Sequence, residues 1–299
     1  MHPILADLIT LLKLERIEEN IFRGVSRDIG SPQVFGGQVL GQALSAAQHT
    51  VEGRVAHSLR GYFLRRGDIE APIIYDVDRL RDGRSFSNRR VVAIQHGRSI
   101  LNMAASFQVP EDGLSHQVEM PVVPEPEGLK DLKQLAADGL DGIPVKLRRF
   151  MIDGRPFEFR PVEQSGLEGQ TKRPPYKHVW IRAVDTMPDD VALHQNLMAY
   201  VSDFELLTTA TLPHALPFTR GRVIRASLDH ALWFHRAFRI DEWLLYSMDS
   251  PNAAGARGYA RGQFFTRDGA LVASTAQEGL IRVVEQDEVK KRSDPRDQV

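Results

Sequence analysis

Apolar residues recur along this chain in two rhythms, a helical one near 3.6 residues and a strand-like one of two, in the same order twice. In the first half, FGGQVLGQALSAAQHTV (35–51) carries the helical spacing through Val39/Ala43/Ala46 and Leu40/Leu44/Ala47. Strand-like runs follow at AHSLRGYFLR, PIIYDVDRLR, SFSNRRVVAIQ and ILNMAASFQV. In the second half, HQNLMAYVSDFELLTTATL reads as one helix, with Leu197, Tyr200, Phe204 and Leu207 on one face. RASLDHALWFHR, EWLLYSMDS, ARGYARGQFFTR and LVASTAQEGLI then read as strands. Between the halves, from Pro110 to Pro144, alternation disappears and prolines mix with acidic residues, predicting a linker that spans a distance and stays out of the core.

The halves superpose without a gap at an offset of 171 residues, which pairs Phe63 with Phe234, Arg65 with Arg236, Tyr75 with Tyr246 and Arg90 with Arg261. That order of elements points to an internal duplication. A long helix followed by antiparallel-looking strands predicts an α+β unit in which a curved sheet wraps the helix. Three glycines and three alanines in FGGQVLGQALSAA fit such a helix, because small residues let a sheet approach its backbone. Two units would pair by their sheets and so cover exposed edges.

Composition then removes several classes of function. A net charge of -1 gives no footprint for nucleic acid. Basic pairs such as Arg65–Arg66 and Arg89–Arg90 are scattered, so they read first as solvated surface and second as attraction for a phosphorylated ligand. With no cysteine, disulfides, a thiolate nucleophile and thiolate-held zinc are excluded together. No apolar run reaches the roughly 18–20 residues that span a bilayer. The first twenty residues carry Asp7 and Lys13 within an amphipathic pattern, unlike a signal peptide, so a cytoplasmic protein is expected. None of the ten histidines falls in a metal-ligand cluster, and no metal is expected; His230 and His235, five apart on a strand, face opposite sides.

Six positions stand out as candidate chemistry beside that background. Asp203 lies inside an apolar stretch read as mid-helix, either as a solvated edge or as a base able to take a proton from water. Ser227 opens one predicted strand and Gln277 lies near the end of another; only convergence in space would make them a site. At the offset of 171 they pair with Ala56 and Ser106, so a site of this kind is expected once per chain. His57 is a further candidate, for a ligand contact at a pocket mouth. The helix opening at Gly36 and Gly37 offers backbone N–H groups to a developing oxyanion.

The segments VFGGQVLGQAL, HSLRGYFLRRGD, PIIYDVDRLRDGRSFSNRRV, YVSDF, LDHALWFHR, ARGYARGQF and LVASTAQEG closely resemble the acyl-CoA thioesterase II family, almost end to end from about Leu8 to Val283. The resemblance implies a double hotdog fold: two antiparallel sheets, each wrapped around a long central helix. It divides the chain into an N-terminal hotdog domain (1–115), a Pro/acidic linker (116–150), a C-terminal hotdog domain with the catalytic set (151–285) and a charged tail (286–299). It also implies hydrolysis of acyl-CoA without a cofactor, Asp203, Ser227 and Gln277 as the catalytic residues, and assembly into a homodimer or homotetramer. Where some members have Thr, Ser227 keeps the hydroxyl but loses the methyl that restricts rotation. Two alternatives stay open at this point. One is a hotdog hydratase or dehydratase, which would pair Asp with His, and no His lies close to Asp203 in sequence. The other is an acyl-CoA binder without turnover.

Overall fold

The computed structural model describes residues 1–137, 149–150, 154–163, 171–216 and 223–283, so the predicted charged tail lies outside the described residues. The first half runs α1 (Pro3–Leu12), β1 (Glu15–Glu18), β2 (Ile21–Gly24), α2 (Gly36–Gln48), β3 (Val55–Phe63), β4 (Ile73–Asp82), β5 (Phe86–Gln95) and β6 (Arg98–Gln108). A short α3 (Leu132–Ala137) follows. The second half runs β7 (Phe157–Pro161), β8 (Tyr176–Ala183), α4 (Val191–Val201), α5 (Leu206–Thr209), β9 (Val223–Ser227), β10 (Asp229–Phe234), β11 (Leu244–Ala254), β12 (Arg257–Thr266) and β13 (Leu271–Val283).

The α+β reading holds, and the two expected sheets are joined edge to edge into one antiparallel sheet of 13 strands. The seam is β3 against β10, in register from Asp229↔Tyr62 to Trp233↔Ser58. An open edge on either half would expose unpaired backbone groups, and the seam removes both edges at once. Alternation along the strands turns Leu59, Tyr75, Val91 and Met103 of one half, and Leu232, Tyr246, Phe264 and Thr275 of the other, toward α2 and α4, in one continuous core. Among the described residues no helix is long and apolar enough to cross a membrane.

The helix glycines have a different reason from the one expected. They admit the second central helix: a Cβ on Gly37 would lie 2.2 Å from the Tyr200 carbonyl oxygen, and one on Gly41 would lie 3.0 Å from that of Asn196. Positions four apart on α2 therefore meet positions four apart on α4 in reverse order, an antiparallel pair packed backbone to backbone. Gln48 Nε2 donates to Gln195 Oε1 at 3.3 Å further along this contact, and Gln195 Nε2 donates to the Ala56 carbonyl at 2.7 Å.

The linker also departs from its expected role. Met120, Val123 and Leu129 pack on the outer face of the second-half sheet, over a cluster of Trp180, Trp243, Leu245, Phe265 and Leu271. Trp180 Nε1 donates to the Pro124 carbonyl at 2.9 Å, satisfying a buried polar group that the sheet alone would leave unpaired. The stretch thus covers an apolar face as well as connecting the halves.

Candidate active site

Asp203 is not mid-helix. α4 ends at Val201 with Ser202 as its C-cap, and Glu205 adopts φ 68° before α5 begins, so Asp203 occupies the turn between two helices. The Glu205 carboxylate lies 2.6 Å from Lys177 Nζ, and that ammonium keeps the Glu205 carboxyl below the usual carboxylate range. Seen in sequence, the break is masked because the apolar spacing continues through it at Phe204 and Leu207.

The structure brings Asp203, Ser227 and Gln277 together. Gln277 Nε2 donates to Asp203 Oδ1 at 2.6 Å, and Ser227 Oγ donates to the same oxygen at 3.1 Å. Gln277 Nε2 also lies 3.1 Å from Ser227 Oγ. Gln277 is mid-strand in β13, on the inward face with Thr275, and is only 1% exposed. Ser227 closes β9 where the predicted strand breaks at Leu228, whose carbonyl accepts from Phe63 N–H across the seam at 2.9 Å. Two strands and one interhelical turn thus converge on one carboxylate oxygen.

The other carboxylate oxygen, Oδ2, takes no hydrogen bond from a described residue. It faces the start of α2: a Cβ on Gly36 would come within 2.7 Å of it. The α2 N-terminus has no side-chain cap, so its partial positive charge favours an anion there. Gly36 and Ser227 share the wall of a cavity of about 240 Å³, also lined by Gln33, Phe63, Arg65 and Arg66. Gly37 does not line it, being packed under Tyr200.

His57 is not part of this constellation. It sits at the far end of β3 from Phe63, with Nε2 2.8 Å from Ser106 Oγ and its ring edge-on to Phe86. Six residues of strand separate the two ends, about 20 Å.

His230, dismissed in the sequence as a metal ligand, lies behind the site. It is 1% exposed, with Nδ1 3.3 Å from Gln277 Nε2 and Nε2 2.9 Å from Ser202 Oγ. Alternation with Leu232 and Phe234 was the signal that could have turned it inward. Burial pushes its pKa down, with the Asp203 carboxylate opposing. Burial likewise lowers His57, His194 and His235. In each case the folded state binds fewer protons than the unfolded chain below the ordinary value of about 6.5, so stability rises with pH through that region and is lost as pH falls. The expected result is a higher melting temperature at pH 7.5 than at pH 5.5 in one buffer series; a flat or inverted profile would contradict it.

The duplication needs one correction. The offset is 171 at Gly262 and Val91 but 172 at their partners Thr275 and Met103, because each hairpin skips one residue at its register shift while the turn of the second, residues 267–269, is one residue longer than residues 96–97 of the first. The inward counterpart of Gln277 is therefore Ala105, and Ser106 points outward to His57. Ala56 remains the counterpart of Ser227, since each pairs with the strand one step beyond, at Phe107 and Gly279. Among the described residues no group of three or more His, Cys, Asp or Glu is placed to hold a metal ion.

Comparison with known proteins assigns both halves. The acyl-CoA thioesterase family model matches residues 147–280, and the model of the acyl-CoA thioesterase N-terminal domain matches residues 25–108. Acyl-CoA thioesterase 2 of Haemophilus influenzae is 46% identical over 286 residues, covering 95% of this chain and 100% of that protein. The crystal structure of an acyl-CoA thioesterase II from Mycobacterium marinum superposes with a TM-score of 0.77 at 41% identity, covering 93% of this chain and 99% of that one. A hotdog-fold protein of unknown function from Alicyclobacillus acidocaldarius, 17% identical, covers 93% of this chain and 99% of its own with a TM-score of 0.75, and supports the fold alone. Matched in both halves and along nearly its whole length, this chain belongs to the acyl-CoA thioesterase II family and is a thioester hydrolase.

Proposed function

We propose that this enzyme hydrolyses fatty acyl-CoA to free acid and CoA by direct attack of water, with Asp203 as general base. The supporting observation is the asymmetry of its carboxylate. Oδ1 is held by two donors, Ser227 and Gln277, while Oδ2 takes no hydrogen bond from a described residue and faces Gly36, which lines the cavity with Ser227. A base fixed through one oxygen keeps the other free to accept a proton at a defined angle. Water bound at Oδ2 loses its proton to Asp203 and attacks the thioester carbonyl. The uncapped N-terminus of α2 at Gly36 stabilises the oxyanion, and its collapse expels the CoA thiolate, which is protonated to the thiol.

Ser227 serves as donor to Asp203 in this scheme, not as nucleophile. Release of CoA should therefore show no pre-steady-state burst, and a stoichiometric burst with an acyl adduct on Ser227 would replace this mechanism with a covalent one. A hydratase-type Asp–His pair is also disfavoured: His230 is near after all, but both its ring nitrogens are engaged, by Gln277 and Ser202.

We further infer that Arg65 and Arg66, at the same cavity, receive the phosphates of CoA. Arg65 is anchored by Nη1 donating to the Ser99 carbonyl at 2.8 Å, which holds its guanidinium at the rim. Replacing both with Gln should raise KM for acyl-CoA several-fold, most at low salt. Acyl N-acetylcysteamine thioesters, which lack the phosphates, should be hydrolysed as before. An equal loss on both substrates would remove the phosphates from the account.

A further inference from the structure

We propose that His230 is a positioning residue for this hydrolysis, holding the Gln277 amide in the one orientation that presents an N–H to Asp203. The inference rests on the reading of Asp203 as the base, and its logic follows from donors and acceptors. A carboxylate only accepts, so the Gln277 atom 2.6 Å from Asp203 Oδ1 must be the amide nitrogen. The same nitrogen lies 3.3 Å from His230 Nδ1, which must then be the unprotonated ring nitrogen. His230 Nε2 therefore carries the proton and donates to Ser202 Oγ at 2.9 Å. Ser202 in turn is free to donate, and its hydroxyl is 3.1 Å from the Ala199 carbonyl of α4.

The chain of bonds is directional from end to end. It starts at a helix carbonyl that can only accept and finishes at a carboxylate oxygen that can only accept, so the two ends together allow one tautomer of His230 and one orientation of Gln277. Without an acceptor at the Nδ1 position, the Gln277 amide would be steered by Asp203 and Ser227 alone. Its Oε1 is buried with no partner among the described residues, so no hydrogen bond from them on that side holds the orientation. His230 has no counterpart at the equivalent inward position of the first half, where Leu59 stands, in keeping with Ala56 and Ala105 beside it.

Two substitutions separate positioning from packing. In His230→Asn the side-chain carbonyl falls where Nδ1 was and can accept from Gln277, whereas His230→Gln reaches Ser202 and leaves the Nδ1 position empty. The expected result is a loss of about tenfold or more in kcat for H230Q with KM little changed, the factor that one net hydrogen bond to a reacting group is worth, and kcat within about threefold of wild type for H230N. Equal losses in both variants, or unchanged kcat in H230Q, would overturn the proposal. Because H230Q could fail to fold, the imidazole nitrogens of the unmodified enzyme are also read by ¹⁵N NMR at pH 7. The proposal requires a neutral ring protonated at Nε2; a proton on Nδ1 overturns it without any variant. The tautomer does not depend on the identity of the base, which Asp203→Asn tests separately, so failure of the one reading is distinguishable from failure of the other.

Discussion

Asp203→Asn is expected to lower kcat by about 10²–10⁴-fold while leaving KM and the melting temperature close to wild type. The two side chains are isosteric. Asn can turn its carbonyl toward Ser227 Oγ and Gln277 Nε2, keeping both hydrogen bonds that hold Oδ1. The amide nitrogen then replaces Oδ2 beside Gly36, where it donates and cannot take a proton from water. The effect therefore isolates the chemistry from the packing. Gln277→Ala should cost less and Ser227→Ala least, because the base survives in both and the Gln277 bond, at 2.6 Å, is shorter than the Ser227 bond at 3.1 Å. Steady-state kinetics on a single acyl-CoA, with thermal unfolding of each variant, checks the series. Near-native kcat in a folded Asp203→Asn enzyme would remove Asp203 from the role of base.

The parts of this fold that repeat locally were legible in the sequence, and those that depend on contacts between the halves were not. Alternation along β4, β5 and β12 set their inward faces, and the duplication followed from spacing alone, because both are properties of short segments. The turn at Asp203 was hidden: a helix break leaves no trace when Phe204 and Leu207 keep the apolar spacing, and the left-handed residue is Glu205 rather than a glycine. The glycines of α2 looked like an invitation to the sheet because sequence shows that a backbone is bare, not what approaches it. Gln277 and Ser227 were assignable by resemblance, yet their common acceptor, Asp203 Oδ1, is a relation among residues 24 and 74 positions apart. His230 was set aside for the same reason: distance along the chain from Asp203 says nothing about distance across two paired strands. A β12–β13 turn one residue longer than that of β5–β6 also replaced Ser106 with Ala105 as the counterpart of Gln277, a difference that ungapped alignment cannot detect.

Gly36→Ala and Gly37→Ala, one residue apart, should fail in different ways. At Gly37 the new methyl would meet the Tyr200 carbonyl oxygen at 2.2 Å, an atom fixed in the backbone of α4. The helices would have to part along the contact that also includes Gly41 and Asn196, at the centre of the shared core. Overpacking of this kind costs about 1–3 kcal/mol or more, and in a chain of this size each kcal/mol lowers the melting temperature by about 2–4 °C. A contact this short puts the cost at about 3 kcal/mol; less the gain of up to about 1 kcal/mol from replacing a helical glycine, a fall of about 4–8 °C is expected for Gly37→Ala. At Gly36 the methyl would meet Asp203 Oδ2 at 2.7 Å and Phe63 Cζ at 3.0 Å, both side-chain atoms that can move. The fold should survive with little change in melting temperature, while the carboxylate rotates away from its place at the helix N-terminus and kcat drops at least about tenfold. If Gly36→Ala kept full activity, Oδ2 could not be the oxygen that takes the proton; if Gly37→Ala matched the wild-type melting temperature, the close pairing of α2 with α4 would not be the contact that these glycines serve.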